Sequence, residues 1–216
     1  TLELIWTVIP GIVIVVLIGF GIFQWTEVMN IDESEDPIII EVYAKQFAWQ
    51  ARYAGADNTL GLGNVNFIDE SSNPIGVDMS DVASLDDKPV TELHLPKGKK
   101  VLFKFRSQDV LHSAYMPHFR AQMNCVPGMV TQFGFTPKYT TEEMRLQSEV
   151  VDKVKRINKI RSEKGEDLYE FDYVLLCNKI CGASHYSMQM KIIVEEEEDY
   201  NKWLAEQSTY GEVINK

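Results

Sequence analysis

Asp172-Tyr173-Val174-Leu175-Leu176-Cys177-Asn178-Lys179-Ile180-Cys181-Gly182-Ala183-Ser184-His185-Tyr186-Ser187-Met188 is the stretch on which the reading of this chain turns. Two thiols, an imidazole and a thioether fall within twelve positions. Thiolate and thioether are soft ligands and imidazole suits copper equally well, so the set points to copper before other metals. Zinc would accept the cysteines and the histidine but has little use for methionine. The bland alternative is a disulfide or two buried free thiols. Against it, His185 and Met188 follow Cys181 at close spacing, and Gly182 permits a tight turn between ligands. A mononuclear blue-copper site takes one cysteine, two histidines and a weak methionine. Two cysteines allow a second copper bridged by the same thiolates, and that arrangement needs one more histidine. His112, at a strand end in Ser107-Gln108-Asp109-Val110-Leu111-His112-Ser113, is the best candidate. His94 and His118 read as surface or loop histidines, and Cys125 as a buried free thiol.

The flanks of this loop are β-like. Residues 169–176 lead in and 191–195 lead out as strands. Ile38-Ile39-Ile40-Glu41-Val42-Tyr43 is rich in β-branched residues, and 47–53 continues with aromatics, Tyr53 among them as a core residue. Residues 90–95 and 100–107 alternate as half-buried strands around a turn at Pro96-Lys97-Gly98, and 128–135 alternates again. Residues 54–89, rich in Gly, Asn, Asp and Ser, read mostly as loop. Short strands separated by turn signals predict an antiparallel β-sandwich. Thr140-Thr141-Glu142-Glu143 is a capping-box signature. Val150, Val154, Ile157 and Ile160 recur at helical spacing and Gly165 offers a stop, so an amphipathic helix is inserted over 140–168. A short C-terminal helix carries Trp203 and Leu204.

Ile5 to Phe23 is apolar apart from Thr7. At about 1.5 Å per residue it just spans a hydrocarbon core of roughly 30 Å. Trp6 and Trp25 stand where interfacial tryptophans belong. A signal peptide fits poorly, because no basic n-region precedes the run and no small-residue cleavage site follows. The expected organisation is a transmembrane helix over 1–29, an acidic linker over 30–37, a copper domain over 38–200 and a C-terminal helix and tail over 201–216. The chain has 216 residues and a formal charge of −11, which argues against nucleic acid and for a partner with a basic face. Three cysteines rule against a pure disulfide framework, and no Cys-x-x-Cys-His site for covalent haem occurs.

His112 together with Cys-x3-Cys-x3-His-x2-Met closely resembles subunit II of the haem–copper cytochrome c oxidases of bacterial type. Leu2-Glu3-Leu4-Ile5-Trp6-Thr7-Val8-Ile9-Pro10 resembles the start of that family's second transmembrane helix. Gln46-Phe47-Ala48-Trp49 resembles its aromatic segment and Val126-Pro127-Gly128 its Pro-Gly turn. The resemblance covers nearly all of the chain except the 140–168 insertion. It implies a cupredoxin-like sandwich with a dinuclear copper centre, CuA. Cys177 and Cys181 would bridge both coppers; His112 and Met188 would complete one, His185 and the backbone carbonyl of Lys179 the other. Asp109 and Ser113 would support those ligands. Phe47 matches the position where electrons enter and Trp49 the next aromatic; which of the two serves is open. Glu3 matches a carboxylate at the mouth of a proton pathway. The family carries an earlier membrane helix, expected to have been removed, to lie on another chain or to precede residue 1.

The implied activity is that of a subunit of a proton-translocating oxidoreductase. It would accept electrons from a c-type cytochrome donor and pass them to haem in oxidase subunit I, where oxygen is reduced to water. The implied place is a bacterial inner membrane, with the copper domain on the periplasmic side and other oxidase subunits as partners. Several positions depart from the family. Lys179 replaces a glutamate whose side chain helps bind magnesium at the subunit I interface; a cation there calls the magnesium site into question, while a backbone ligand survives. Gln122, Asn124 and Met129 replace charged residues, which implies an altered proton- or water-exit region. The rivals are a quinol oxidase subunit II, which generally lacks copper ligands, the copper module of a nitric or nitrous oxide reductase, and a copper-delivery protein.

Overall fold

The computed structural model describes residues 1–29 and 36–214. Chain contacts divide it into two compact units, Thr1–Glu35 and Asp36–Lys216. The first is α1, Leu2–Met29, whose most apolar 18-residue window has a mean hydropathy of 2.6. It is long and apolar enough to cross a bilayer. The acidic linker expected over 30–37 lies, at 30–35, outside the described residues.

Among the described residues the second unit is a β-sandwich of ten strands. One sheet has the order β3-β2-β1-β5-β8: Lys88–Val90, Ala48–Tyr53, Ile38–Lys45, Val101–Ser107, Thr131–Phe135. The other has the order β4-β10-β9-β6-β7: Leu93–Pro96, Gln189–Glu195, Tyr173–Cys177, His112–Met116, Ala121–Cys125. Alternate residues face inward, as the two-residue period of a strand demands. Ile40, Val42 and Ala44 on β1 and Val101, Phe103 and Phe105 on β5 belong to one buried cluster with Leu175 on β9 and Met190, Ile192 and Val194 on β10. Tyr53 is fully buried, as the sequence suggests.

The sheets are mixed rather than purely antiparallel. β1 runs parallel to β5 and β4 parallel to β10. The Pro96–Gly98 turn carries the chain from one sheet to the other, so the strands it joins are not hydrogen-bonded partners. Turn residues reveal a reversal but not which edge the returning strand will meet. The insertion is two helices, α2 (Thr141–Arg145) and α3 (Ser148–Lys164). The capping box forms: Thr140 Oγ1 accepts from the Glu143 amide at 3.1 Å and Glu143 accepts from the Thr140 amide at 2.9 Å. Gly165, at φ 70°, closes α3 through bonds to Arg161 and Ser162 carbonyls. Val150 is buried, Val154 and Ile157 half-buried, and Ile160 exposed, so the apolar anchoring of α3 fades along its length, while Asn158 is tied to the Tyr169 backbone. The C-terminal α4 (Glu197–Glu206) starts with three acids in its first turn, which suits the helix dipole, and α5 is Tyr210–Ile214.

A buried cation helps to tie down the long 54–87 segment. Arg52, 1% exposed, donates to Glu41 Oε2 at 2.6 Å, to Asp87 Oδ2 at 2.6 Å and to the Gly61 carbonyl at 2.7 Å. Glu41 also accepts from Arg106 at 2.5 Å. A buried guanidinium is tolerable only when its charge and its N–H groups are partnered in this way.

Candidate metal centre

The Cys177–Met188 loop connects two antiparallel strands, β9 and β10, and is closed at its base by Cys177 N–H donating to the Met188 carbonyl at 3.1 Å. β6 lies beside β9, with Ala114 opposite Cys177, so His112 two residues earlier stands at the same end of the sheet. The Asn178 amide donates to the Ser113 carbonyl at 2.9 Å and pins the start of the loop to β6. A 3₁₀ turn at His185–Ser187 then folds His185 and Met188 back toward the thiols.

The donor atoms converge. Cys177 Sγ lies 3.8 Å from Cys181 Sγ, beyond the roughly 2.05 Å of a disulfide, and both cysteines are free. Each thiol has its own imidazole: His112 Nδ1 is 3.6 Å from Cys177 Sγ, and His185 Nδ1 is 3.6 Å from Cys181 Sγ. The Lys179 carbonyl is 3.2 Å from Cys177 Sγ and Met188 Sδ 3.9 Å from Cys181 Sγ. His112 is fully buried; Cys177, Cys181 and Met188 are nearly so. Two thiols flanked by two imidazoles, a thioether and a carbonyl make a soft donor set that fits copper better than zinc. Burial and the neighbouring Cys177 push the Cys181 thiol up to about 11, so metal uptake at neutral pH must displace its proton.

Asp109 fixes the imidazole of His112. Its Oδ1 lies 2.9 Å from His112 Nε2 and accepts from the Val110 amide at 2.6 Å; its Oδ2 accepts from the Gln46 amide at 2.7 Å. Burial pushes the carboxyl up, but the bonds from His112, Gln46 and Val110 outweigh it and hold the carboxyl below its usual range. An ionised Asp109 can only accept, so Nε2 carries the proton and the Nδ1 lone pair faces the thiols. Asp109→Asn removes that constraint, and copper affinity should fall about 10- to 100-fold with the ligand set intact, measured by competition with a chelator.

Ser113 acts through its backbone; its hydroxyl accepts from Gln122 Nε2 at 2.9 Å. Both aromatic candidates sit at the centre, at different depths. Trp49, 6% exposed, sets its indole N–H 3.4 Å from the Met188 carbonyl and its ring edge-on to His112 at 6.2 Å. Phe47 is half-buried against Gly182, where a Cβ would come within 2.8 Å of its ring. Only glycine allows that approach. Glu3 lies in the first turn of α1, in the other unit.

Gln46 is the residue that sequence reasoning passes over. Besides its amide bond to Asp109, its side chain donates to the Cys181 carbonyl. Its partners are 63 and 135 positions away, and no local pattern marks it. His94 is a correction. It is 6% exposed on β4, stacked on Trp203 at 3.9 Å with Nδ1 2.7 Å from Glu195, a core histidine rather than a surface one. His118 is half-buried on a 3₁₀ turn among Phe171 and Tyr173. Cys125 pairs with His112 across β6–β7, is fully buried, and has its thiol pushed up to about 12 by burial. The tip of the metal loop is exposed and partly apolar, with Ile180 and Tyr186 each 88% exposed and Lys179 between the cysteines.

No family model matches the chain. It is 34% identical over 203 residues, 93% of its length, to the alternative cytochrome c oxidase subunit 2 of Bradyrhizobium diazoefficiens, and covers 61% of that protein. It is 26% identical over 212 residues, 94% of its length, to cytochrome c oxidase subunit 2 of Alkalihalophilus pseudofirmus, covering 43% of that protein. The chain thus spans roughly half the length of these relatives. Among solved structures, the periplasmic domain of subunit II of cytochrome oxidase (CoxB) of Bradyrhizobium japonicum aligns with a TM-score of 0.45 at 17% identity, over 78% of this chain and 91% of that one.

Proposed function

From the premise that the chain is a relative of subunit II of the haem–copper cytochrome c oxidases, we propose that it is the electron-accepting subunit of such an oxidase. It takes single electrons from a c-type cytochrome at a dinuclear copper centre and hands them to haem in subunit I, where oxygen is reduced. The observation that carries this reading is the pair of thiols at 3.8 Å with an imidazole beside each. Copper held there would supply one-electron exchange.

The chain's own residues supply the rest. Cys177, Cys181, His112, His185, Met188 and the Lys179 carbonyl would hold the copper. Asp109 holds the His112 tautomer, and Gln46 ties the aromatic segment to both Asp109 and the loop. Phe47 at the surface and Trp49 behind it form the short route by which electrons reach the centre. α1 anchors the subunit in a bacterial inner membrane with the copper domain on the periplasmic side, and Glu3 serves the proton pathway. Lys179 in place of a carboxylate speaks against a magnesium ion held from this chain. The net charge of −11 draws in a donor with a basic face, so the docking rate should fall as ionic strength rises.

The test is a copper titration of the full chain in detergent, followed by optical and EPR spectra and by electron transfer from a reduced c-type cytochrome. Two coppers per chain with one unpaired electron split by both nuclei is expected. One copper per chain with a mononuclear spectrum sinks the dinuclear centre.

A further inference from the structure

A cavity of about 770 Å³ opens between the start of α3 and the strand faces beneath it, on a part of the domain that no metal ligand lines. That volume is in the range of small-molecule pockets. One wall is a stack of three rings. Phe119 lies 4.6 Å from Phe135 and 4.4 Å from Tyr173, with interplanar angles of 27° and 14°. Met144 and Val150, from α2 and α3, face the space from the other side. The mouth carries Arg120 and Lys138, both exposed, and neither has an ion-pair partner among the described residues.

Two cations, Arg120 and Lys138, stand at one apolar cavity on a chain of charge −11. Most basic side chains elsewhere in the sandwich are engaged: Lys45, Arg52, Lys97, Lys99, Arg106 and Arg145 each have a carboxylate partner. Arg120 is also held at φ 55°, a left-handed conformation that costs a residue with a side chain. That conformation closes the 3₁₀ turn at Pro117–Phe119 and places residue 120 at the edge of the cavity. Glu149 also lines the space, leaving two cations against one acid.

We propose that this cavity binds a small amphiphilic anion: an apolar body against the ring edges of the Phe135–Phe119–Tyr173 stack, with a carboxylate at the mouth held by Arg120 and Lys138. Planar guanidinium and carboxylate match in a two-bond contact, and the lysine adds a point charge. The apolar body supplies burial, and the paired cations select the anion over a neutral molecule of the same shape. The site is separate from the metal ligands and from electron transfer.

The probe is 2-naphthoate, with 2-naphthalenemethanol as its neutral counterpart. Each is titrated into the full chain in detergent with the methionine and valine methyls isotope-labelled. The signals of Met144 and Val150 should shift saturably with naphthoate. In Arg120→Gln/Lys138→Gln its affinity should fall at least about tenfold, while the neutral compound binds as before. Val150→Trp, which fills the space, should remove both responses. An unchanged pattern of the remaining methyl signals verifies that each variant is folded, and Lys138→Gln alone, expected to weaken naphthoate measurably, serves if Arg120 variants do not fold. No saturable shift with either compound overturns the site. Equal naphthoate affinity in the charge variants overturns the anionic class.

Discussion

Cys181→Ser should leave a folded protein that no longer holds a copper pair. The hydroxyl is a hard, neutral oxygen at neutral pH and cannot replace a bridging thiolate. Cys181 Sγ is the atom on which the loop converges, with Cys177 Sγ at 3.8 Å, His185 Nδ1 at 3.6 Å and Met188 Sδ at 3.9 Å. Losing it detaches one imidazole and the thioether together from their common neighbour. Copper should drop from two to at most one per chain, with affinity lower by more than about 100-fold, above the cost of losing an outer hydrogen bond. The multi-line EPR pattern should collapse to that of a single nucleus. Cys125→Ser is the control. That thiol is buried behind His112 without reaching the donor cluster, so stoichiometry and spectrum should be retained. If both variants behave alike, the assignment of Cys181 fails.

Arg52→Met should be the most damaging substitution outside the centre. It leaves Asp87, fully buried, with the Gly61 amide as its main partner at 3.1 Å, and withdraws one of the two cations on Glu41. Removing one member of a buried ion pair costs about 3–5 kcal/mol because the partner's charge is left uncompensated. In a domain of this size that is a fall in Tm on the order of 10 °C. The 54–87 segment should loosen first, read as faster amide exchange there than in β6 or β9. Pairing Arg52→Met with Asp87→Asn should recover part of the loss, since no unpaired charge then remains at that position. A shift below about 2 °C for the single variant would show that the network is not what holds the segment.

The metal loop is legible in sequence because its chemistry is local. Four candidate ligand residues lie in one turn-rich connection, and their types point to copper before other metals. His112 is legible only because a strand end is where a side chain can reach a neighbouring loop. Gln46 and the buried role of His94 are not legible, since both depend on partners brought together by sheet pairing. His94 reads as an ordinary polar residue until Trp203 lies across its face. Strand positions follow from periodicity, but whether β1 meets β5 parallel or antiparallel follows from long connections that carry no periodic signal. The 54–87 segment has the composition of a loop and is mostly one; much of its order comes from residues on the strands beneath it, Arg52 on β2 and Arg106 on β5 among them.

The two parallel pairings have a kinetic side. β4 and β10 join residues about a hundred positions apart, with Ile193 opposite His94, and β10 is the strand that follows the metal loop. Contacts so distant in sequence close late, because chain entropy must be spent before they return any stabilisation. Until β10 docks, Cys177 and Cys181 sit on an unclosed loop, and under oxidising conditions two thiols four residues apart can join to each other. The architecture that later protects the pair therefore also lengthens the interval in which it is vulnerable, and the yield of metal-competent protein becomes a race between sheet closure and thiol oxidation.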